Sequence, residues 1–148
     1  NTSSLRLVYD HVFFSLPGAA SSFPLQEGKT LQECSGFQGI VCGQLITLKM
    51  PNRKNITTTT TDTDVDTDAD EEIVESVDLT PGDTLFFSND TVLPEEIFSK
   101  QNLYLLIVYG HYKTVYTKNG NDPSNHYLKR YGYSFGDLLH GDNHPLFM

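Results

Sequence analysis

An alternating run of carboxylates is the stretch of this sequence best able to do chemistry. Read from Asp64, the run follows the ligand spacing of a calcium-binding EF-hand loop, in which oxygens at positions 1, 3, 5, 7 and 12 surround the ion. The metal-ligand candidates are Asp64, Asp66, Asp68, Asp70 and Glu75. The sixth position needs glycine for a sharp turn but holds Ala69, and neither flank has helical spacing. We therefore expect weak Ca²⁺ binding at most, and no other cofactor.

The same region also has the composition of a solvated loop. Five consecutive threonines begin at Thr57, and the aspartates follow them. Between Asn55 and Ser99 there are thirteen acidic residues and no lysine or arginine, so the segment repels itself unless cations neutralise it. We interpret residues 57–72 as an acidic connection between two strands, and we favour this interpretation over a folded calcium site.

Three aromatic rings alternate near the end of the sequence, in the segment YGYSF, at Tyr131, Tyr133 and Phe135. If the segment is a strand, alternation places the three rings on one face. Such a row could form a platform for a sugar, a peptide or another small ligand, because an aromatic ring has a broad apolar face. The row could also form an inner core layer, since the chain has no tryptophan to fill its centre. The three residues are our ligand-binding candidates, and core packing is the favoured alternative.

Two histidines and an aspartate lie close together at the end of the sequence: His140, Asp142 and His144. They could share a metal ion if the chain curled around it. Gly141 and Pro145 instead indicate a turn, so we expect a mobile C-terminal tail and not a metal site. No nucleophile elbow, phosphate-binding loop or zinc-protease motif occurs in the sequence. We therefore expect no enzymatic activity.

Cysteine and asparagine positions favour an extracellular or secreted protein. The sequence has two cysteines, Cys34 and Cys42, and the two glycines between them would let the chain close a small disulfide ring. Sequons for N-glycosylation begin at Asn55 and Asn89, with a further one at Asn1, which stands where an unprocessed chain has methionine. We predict a disulfide between the two cysteines and glycans on Asn55 or Asn89, because disulfides persist and sequons are used on the secretory route.

The elements expected to position these groups are β-strands. Alternating and β-branched apolar residues predict a first strand that ends at Pro17, a further strand or strand pair within Gly36–Met50, and another strand over Thr84–Ser88. A dense apolar run predicts a fourth strand over Leu103–Tyr109, and the alternation that follows it predicts a separate strand around residues 112–116. Strands therefore dominate the prediction.

Turn and helix signals complete the expected architecture. Pro81-Gly82 predicts a tight turn whose glycine has a positive φ. Pro94, followed by two glutamates, predicts one short helix near residues 94–100. Composition and turn spacing favour a single all-β domain over residues 1–148, an antiparallel β-sandwich of the jelly-roll or immunoglobulin-like type.

The charge distribution bears on the partners that this chain can have. Its net charge is -9, yet the residues outside 55–99 carry six acids and ten bases. Those bases are spread out and match no known reader motif, so we expect no nucleic-acid binding. No apolar run approaches the ~18 residues that a membrane span needs, so we expect no membrane span.

A predicted core, sequons and an acidic loop, without a catalytic motif, favour a non-catalytic module for extracellular recognition, adhesion or assembly, such as a viral or cell-surface structural protein. The expected partners are another protein or further copies of this chain. The alternative is a carbohydrate- or small-ligand-binding β-barrel or hydrolase whose site lies in the tyrosine-rich C-terminal third. That alternative would be favoured if Tyr131, Tyr133 and Phe135 pointed into a cleft with an acid nearby.

Overall fold

The computed structural model describes residues 4–15, 25–49, 79–99, 102–120, 122 and 127–148. Its five strands form one antiparallel sheet in the order β3-β2-β4-β1-β5, curled into a half-barrel. The strands are β1 Leu5–Phe14, β2 Phe37–Lys49, β3 Thr84–Ser88, β4 Leu103–Tyr116 and β5 Leu146–Phe147. Short helical turns connect them: α1 Leu31–Cys34, α2 Glu96–Ser99 and a 3-10 helix at Tyr127–Tyr131. A mostly β fold is confirmed, but the predicted sandwich of two sheets is wrong.

The sheet buries one face because its strands alternate. In β4, Tyr104, Leu106 and Val108 are buried, while Leu105 and Ile107 between them are half-buried and belong to the opposite face. Loops and helical turns cover the buried face in place of a second sheet. The covering residues of the core cluster are Leu25, Leu31, Leu93, Ile97, Phe98, Leu128, Tyr133 and Leu139. Strand alternation marks the face that must be covered, but it does not specify whether a sheet or loops cover it.

The local predictions for strands and turns match the structure closely. β3 spans the predicted residues Thr84–Ser88, and α2 lies within the predicted range 94–100. In the turn before β3, Gly82 has a φ of 96°, and the Asp83 backbone N–H donates to Thr80 O at 2.9 Å. These three predictions are confirmed because each depends on residues that are close together in the sequence.

β4 differs from the prediction because it is one strand and not two. Gly110 pairs with Ile40 and Val115 pairs with Gln38, so β4 advances five residues while β2 advances two. The extra residues form a bulge whose Thr114 hydroxyl lies 2.7 Å from His111 O and 3.1 Å from Gly39 O. Bulges bend a strand without ending it. The strand therefore continues to Tyr116.

Several predictions lie outside the described residues. They concern the acidic loop at 57–72, the calcium-ligand candidates Asp64, Asp66, Asp68, Asp70 and Glu75, and the sequon at Asn55. The extent of a single domain over residues 1–148 also stays a prediction.

Replacing Gly43 with alanine should destabilise the sheet by about 2 kcal/mol, because a methyl group there overpacks the core. A Cβ on Gly43 would lie 2.4 Å from Cζ of Phe87, which is its partner on β3. Urea unfolding followed by circular dichroism measures the change. Gly120→Ala is the matched control, because a Cβ there meets nothing within 4 Å. Equal stabilities of the two variants would contradict this packing.

Candidate ligand-binding site

A cavity of about 320 Å³ opens at one end of the sheet. The middle of β1, the start of β2 and the end of β4 form its wall, together with the loop after β4, the 3-10 helix and the turn before β5. Its aromatic wall consists of Tyr9, Phe37, Tyr116 and Tyr131. Because these residues are far apart in the sequence, only the fold brings them together.

Three of the four rings in the aromatic wall form a row of contacts. The centroids of Tyr9 and Phe37 are 5.7 Å apart, and those of Phe37 and Tyr116 are also 5.7 Å apart. Behind the wall, Phe135 packs on Tyr116 at 4.9 Å. Tilted ring pairs at these distances are favourable beyond their buried area. The row therefore holds its rings in fixed positions around the cavity.

The three predicted ligand-binding residues do not share one face of a strand, which corrects that prediction. The 3-10 helix ends at Tyr131, and Gly132 and Gly136 have φ values of 85° and 100°. These left-handed glycines turn the chain, so that neighbouring rings enter different surroundings. Tyr131 is 54% exposed and lines the cavity, whereas Tyr133 is buried and Phe135 is half-buried behind the wall.

Tyr133 has a structural role in holding the C-terminal segment. Its hydroxyl donates to His140 O and accepts from the His140 backbone N–H at 3.1 Å. Its ring contacts those of His140 and His144, at centroid distances of 5.0 and 5.6 Å. Beyond this point β5 pairs with β1, through Leu5 and Phe147. The expectation of a mobile C-terminal tail is therefore wrong.

Asp122 supplies a buried carboxylate to the cavity. It is 7% exposed, and its Oδ2 accepts the Gly36 backbone N–H at 2.9 Å. Asn119, in the same loop, donates its side-chain amide to Ser35 O at 2.8 Å. The capping box at Thr30 fixes the start of α1, and α1 leads directly into Ser35 and Gly36. Side chains of the loop after β4 therefore hold the connection between α1 and β2 at the cavity.

Asp122 places a negative charge close to the Tyr9 phenol in the cavity wall. Burial raises the pKa of the Tyr9 phenol, and the Asp122 carboxylate raises it further. Asp10 also borders the cavity, but it pairs with Ile107 in the register, so its side chain belongs to the opposite face of the sheet. Among the described residues, no lysine or arginine lines the cavity.

His144 is a buried imidazole beside the aromatic wall. It is 3% exposed, and its Nδ1 lies 3.3 Å from the carbonyl oxygen of Leu7. Because a carbonyl only accepts, Nδ1 carries the proton of the neutral ring, and Nε2, which has no hydrogen-bond partner, is left as an acceptor. Burial lowers the pKa of His144, and the positive charge of Arg6 lowers it further.

The lowered pKa of His144 makes stability depend on pH. The unfolded chain binds a proton near pH 6.5, whereas the folded chain binds it only at lower pH. Stability should therefore be full above pH 6.5 and should fall as the pH drops below that value. Urea unfolding at pH 7.5 and pH 5.5 measures the loss, which should be smaller for His144→Gln. An unchanged loss in that variant would assign the pH dependence to other groups.

Neither of the cysteines lines the cavity, and Asn89 does not line it either. The structure shows two free thiols in place of the predicted disulfide: Cys34 is buried at the end of α1, and Cys42 is half-buried in β2. Residues 37–42 are extended strand, which carries the chain away from Cys34. Burial raises the pKa of both thiols. Asn89 lies half-buried in the turn after β3, where its backbone N–H donates to Val41 O at 3.1 Å, and its glycosylation stays a prediction.

Most of the cavity residues could not be identified from the sequence. Tyr9, Phe37 and Tyr116 resemble ordinary strand residues, and Asp122 resembles an ordinary turn residue. Tyr131 was predicted for ligand binding, and His144 was considered as a metal ligand. Among the described residues, no three His, Cys, Asp or Glu side chains are grouped to hold a metal ion.

Comparison with known proteins does not assign the chain to a family. No protein-family model, curated protein or solved structure matches it. Within the described ranges, no helix is long and apolar enough to cross a membrane.

Proposed function

We propose that this protein is a non-catalytic recognition module that binds a small organic ligand in the aromatic cavity. The observation that carries the proposal is the cavity itself, about 320 Å³ in volume with four aromatic side chains in its wall. Ligand pockets in proteins occupy roughly 300–1,000 Å³ and combine apolar walls with a few placed polar groups. The cavity therefore has the size and composition of a site for a compact ligand.

The chemistry of the wall favours a small organic cation with a flat apolar part. Aromatic faces attract cations within about 6 Å, and rings stack on flat apolar groups. Asp122 supplies a carboxylate, and no lysine or arginine among the described residues lines the cavity. An anionic ligand would meet a buried negative charge, which is costly. A protonated aromatic amine fits these requirements.

Binding is favoured over catalysis by the kinds of polar group at the cavity. Within the described part of the chain, the lining contains no serine, threonine, cysteine or lysine to act as a covalent nucleophile. The polar side chains there belong to tyrosine, histidine, asparagine and aspartate. They suit the orientation of a bound molecule.

A matched set of probes tests the proposal. Phenethylamine, 2-phenylethanol and phenylacetate share one ring and differ in charge, and calorimetric titration gives their affinities. We expect the protonated amine to bind at least ~10-fold more tightly than the alcohol, and phenylacetate to bind most weakly. Failure of all three probes to bind at millimolar concentration would contradict the proposal.

Replacing Tyr131 with alanine should weaken amine binding by about 10-fold, because the substitution removes one aromatic face of the cavity. Tyr131 is 54% exposed, so its loss should leave the fold intact. Tyr112→Ala is the matched control, because this tyrosine is exposed on β4 and does not line the cavity. Equal affinities of the two variants would place the ligand elsewhere.

Asp122→Asn should remove the preference for the cation while keeping an acceptor for the Gly36 N–H. The affinity for phenethylamine should fall by about 10-fold, and that for 2-phenylethanol should stay within ~2-fold. Parallel calorimetric titrations measure the two changes. An equal loss for both probes would indicate damage to the cavity and not a charge effect.

The proposed setting is extracellular, and the sequons at Asn55 and Asn89 support it. Thr91, the third residue of the sequon that begins at Asn89, is exposed in the turn after β3. If the chain passes through a eukaryotic secretory route, a glycan should be added to Asn89 or Asn55. Peptide mapping before and after enzymatic deglycosylation detects it. Two unmodified asparagines after secretion would count against this setting.

A further inference from the structure

The face of the sheet opposite the core is apolar. Cross-strand partners point to the same side, and Leu105 pairs with both Ile46 and Val12. Ile107 pairs with Gln44, which pairs in turn with Phe86. We call this surface the outer face. Its apolar residues are Val12, Phe14, Ile46, Leu48, Phe86, Leu103, Leu105 and Ile107.

Large side chains on the outer face are open to solvent. Phe86 is 65% exposed, Phe14 58%, Val12 53% and Leu48 42%. They surround a half-buried row on β4 that includes Leu105. Contiguous apolar patches of this kind on a folded chain usually mark an interaction surface.

Asp10 and Lys49 carry opposite charges and lie on opposite sides of Leu105 on the outer face. Asp10 lies on β1 and pairs with Ile107, which is two residues from Leu105 along β4. Lys49 lies on β2, on the other side of β4, and pairs with Leu103. Leu103 is two residues from Leu105 along β4 in the opposite direction. The midpoint between the two charges falls on Leu105.

We propose that the outer face binds a second copy of this chain. A two-fold axis between the sheets passes over Leu105, perpendicular to the line that joins Asp10 to Lys49. This axis places each Asp10 opposite the partner's Lys49 and packs apolar rows against each other. A two-fold interface requires a self-complementary patch, and the position of the two charges meets that requirement.

The size of the outer face indicates a weak, reversible dimer. Four strands at ~4.8 Å and five residues at ~3.4 Å cover roughly 19 by 17 Å, a flat footprint of about 320 Å². Permanent dimers bury about 800 Å² or more of accessible surface per partner. The contact therefore suits association at micromolar to millimolar concentration.

Charge reversal tests this arrangement by sedimentation velocity over a wide concentration range in about 0.15 M salt. Asp10→Lys and Lys49→Asp should each weaken dimerisation by at least ~10-fold, because symmetry places two altered contacts in every dimer. The double variant Asp10→Lys/Lys49→Asp should restore it to within ~3-fold. Asp142→Lys is the matched control for Asp10→Lys, because it makes the same change in net charge at an exposed position away from the outer face.

Three results would overturn the proposal. The first is a parent chain that stays monomeric up to about 1 mM, which would leave the outer face to a different occupant. The second is single charge reversals that dimerise like the parent. The third is a double variant as weak as the single ones, which would show that the two residues do not face each other.

Discussion

Replacing Leu106 with alanine should lower the free energy of unfolding by about 3 to 4 kcal/mol, because it removes three buried carbon atoms and leaves a cavity. Leu106 has no exposed surface and lies in the middle of β4, between β1 and β2. Both neighbouring strands constrain its surroundings, so the site has little freedom to collapse. Urea unfolding followed by circular dichroism gives the change, and the slope with denaturant should stay constant.

The adjacent leucine provides a control for this experiment. Leu105 lies on the same strand with its side chain on the outer face, where it is half-buried. Leu105→Ala should cost only about 1 kcal/mol when measured at a concentration where the chain is monomeric. A cost equal to that of Leu106→Ala would mean that the outer face is covered within one chain.

The second large effect is expected at Gly110, where valine should destabilise the fold by about 3 kcal/mol. A Cβ at this position would lie 2.2 Å from the Thr114 hydroxyl, 2.9 Å from Cγ2 of Val8 and 3.1 Å from the carbonyl oxygen of Gly39. The last contact involves backbone, which cannot rotate away. Gly120→Val, in open space, is the matched control.

A double-mutant cycle separates the close contact from a general intolerance of the bulge. Gly110→Ala and Thr114→Ala should each destabilise the fold, and the double variant should cost about 1 kcal/mol less than their sum, since Thr114 then no longer blocks the new methyl group. Strict additivity would show that the two residues do not compete for the same space.

The sequence predicts those parts of the fold that depend on neighbouring residues. β3, the turn at Pro81-Gly82 and the helix α2 each follow from a short local pattern. β1 and β2 follow from alternation over about ten residues. Each of these patterns limits the backbone within a few positions, so no distant contact is needed to specify it.

The global arrangement could not be predicted because it depends on distant contacts. The core face of the sheet needs a cover, and the choice between a second sheet and loops depends on residues such as Leu25 and Leu139, far from the strands in sequence. Likewise, the alternation of Tyr131 and Tyr133 is typical of a strand. In the structure, Gly132 lies between them with a positive φ and turns the chain, so no strand forms there. Strand register and turn conformation determine these arrangements, and the residue pattern of a single sequence specifies neither of them.

The candidate site likewise contains some residues that the sequence predicts and others that only the fold brings there. Tyr131 was predicted because it lies in a visibly aromatic segment. Asp122 and Tyr9 enter the site only because Asp122 accepts a hydrogen bond from Gly36 and β1 pairs beside β4. A carboxylate in a turn is ordinarily solvated, so its burial is not visible before the fold is known.

The pairing of β1 with the C-terminal segment has a consequence for the folding kinetics. Arg6 donates to His144 O across a separation of 138 positions, and the Leu7 N–H donates to Pro145 O at 3.0 Å. Contacts between such distant residues should form late in folding, because closing the long loop between them costs conformational entropy. His144 and Asn143 belong to the cavity lining, so the ligand site should be completed in the last steps of folding. Hydrogen exchange should accordingly find the amides at this junction opening before those of the β2–β4 pairing.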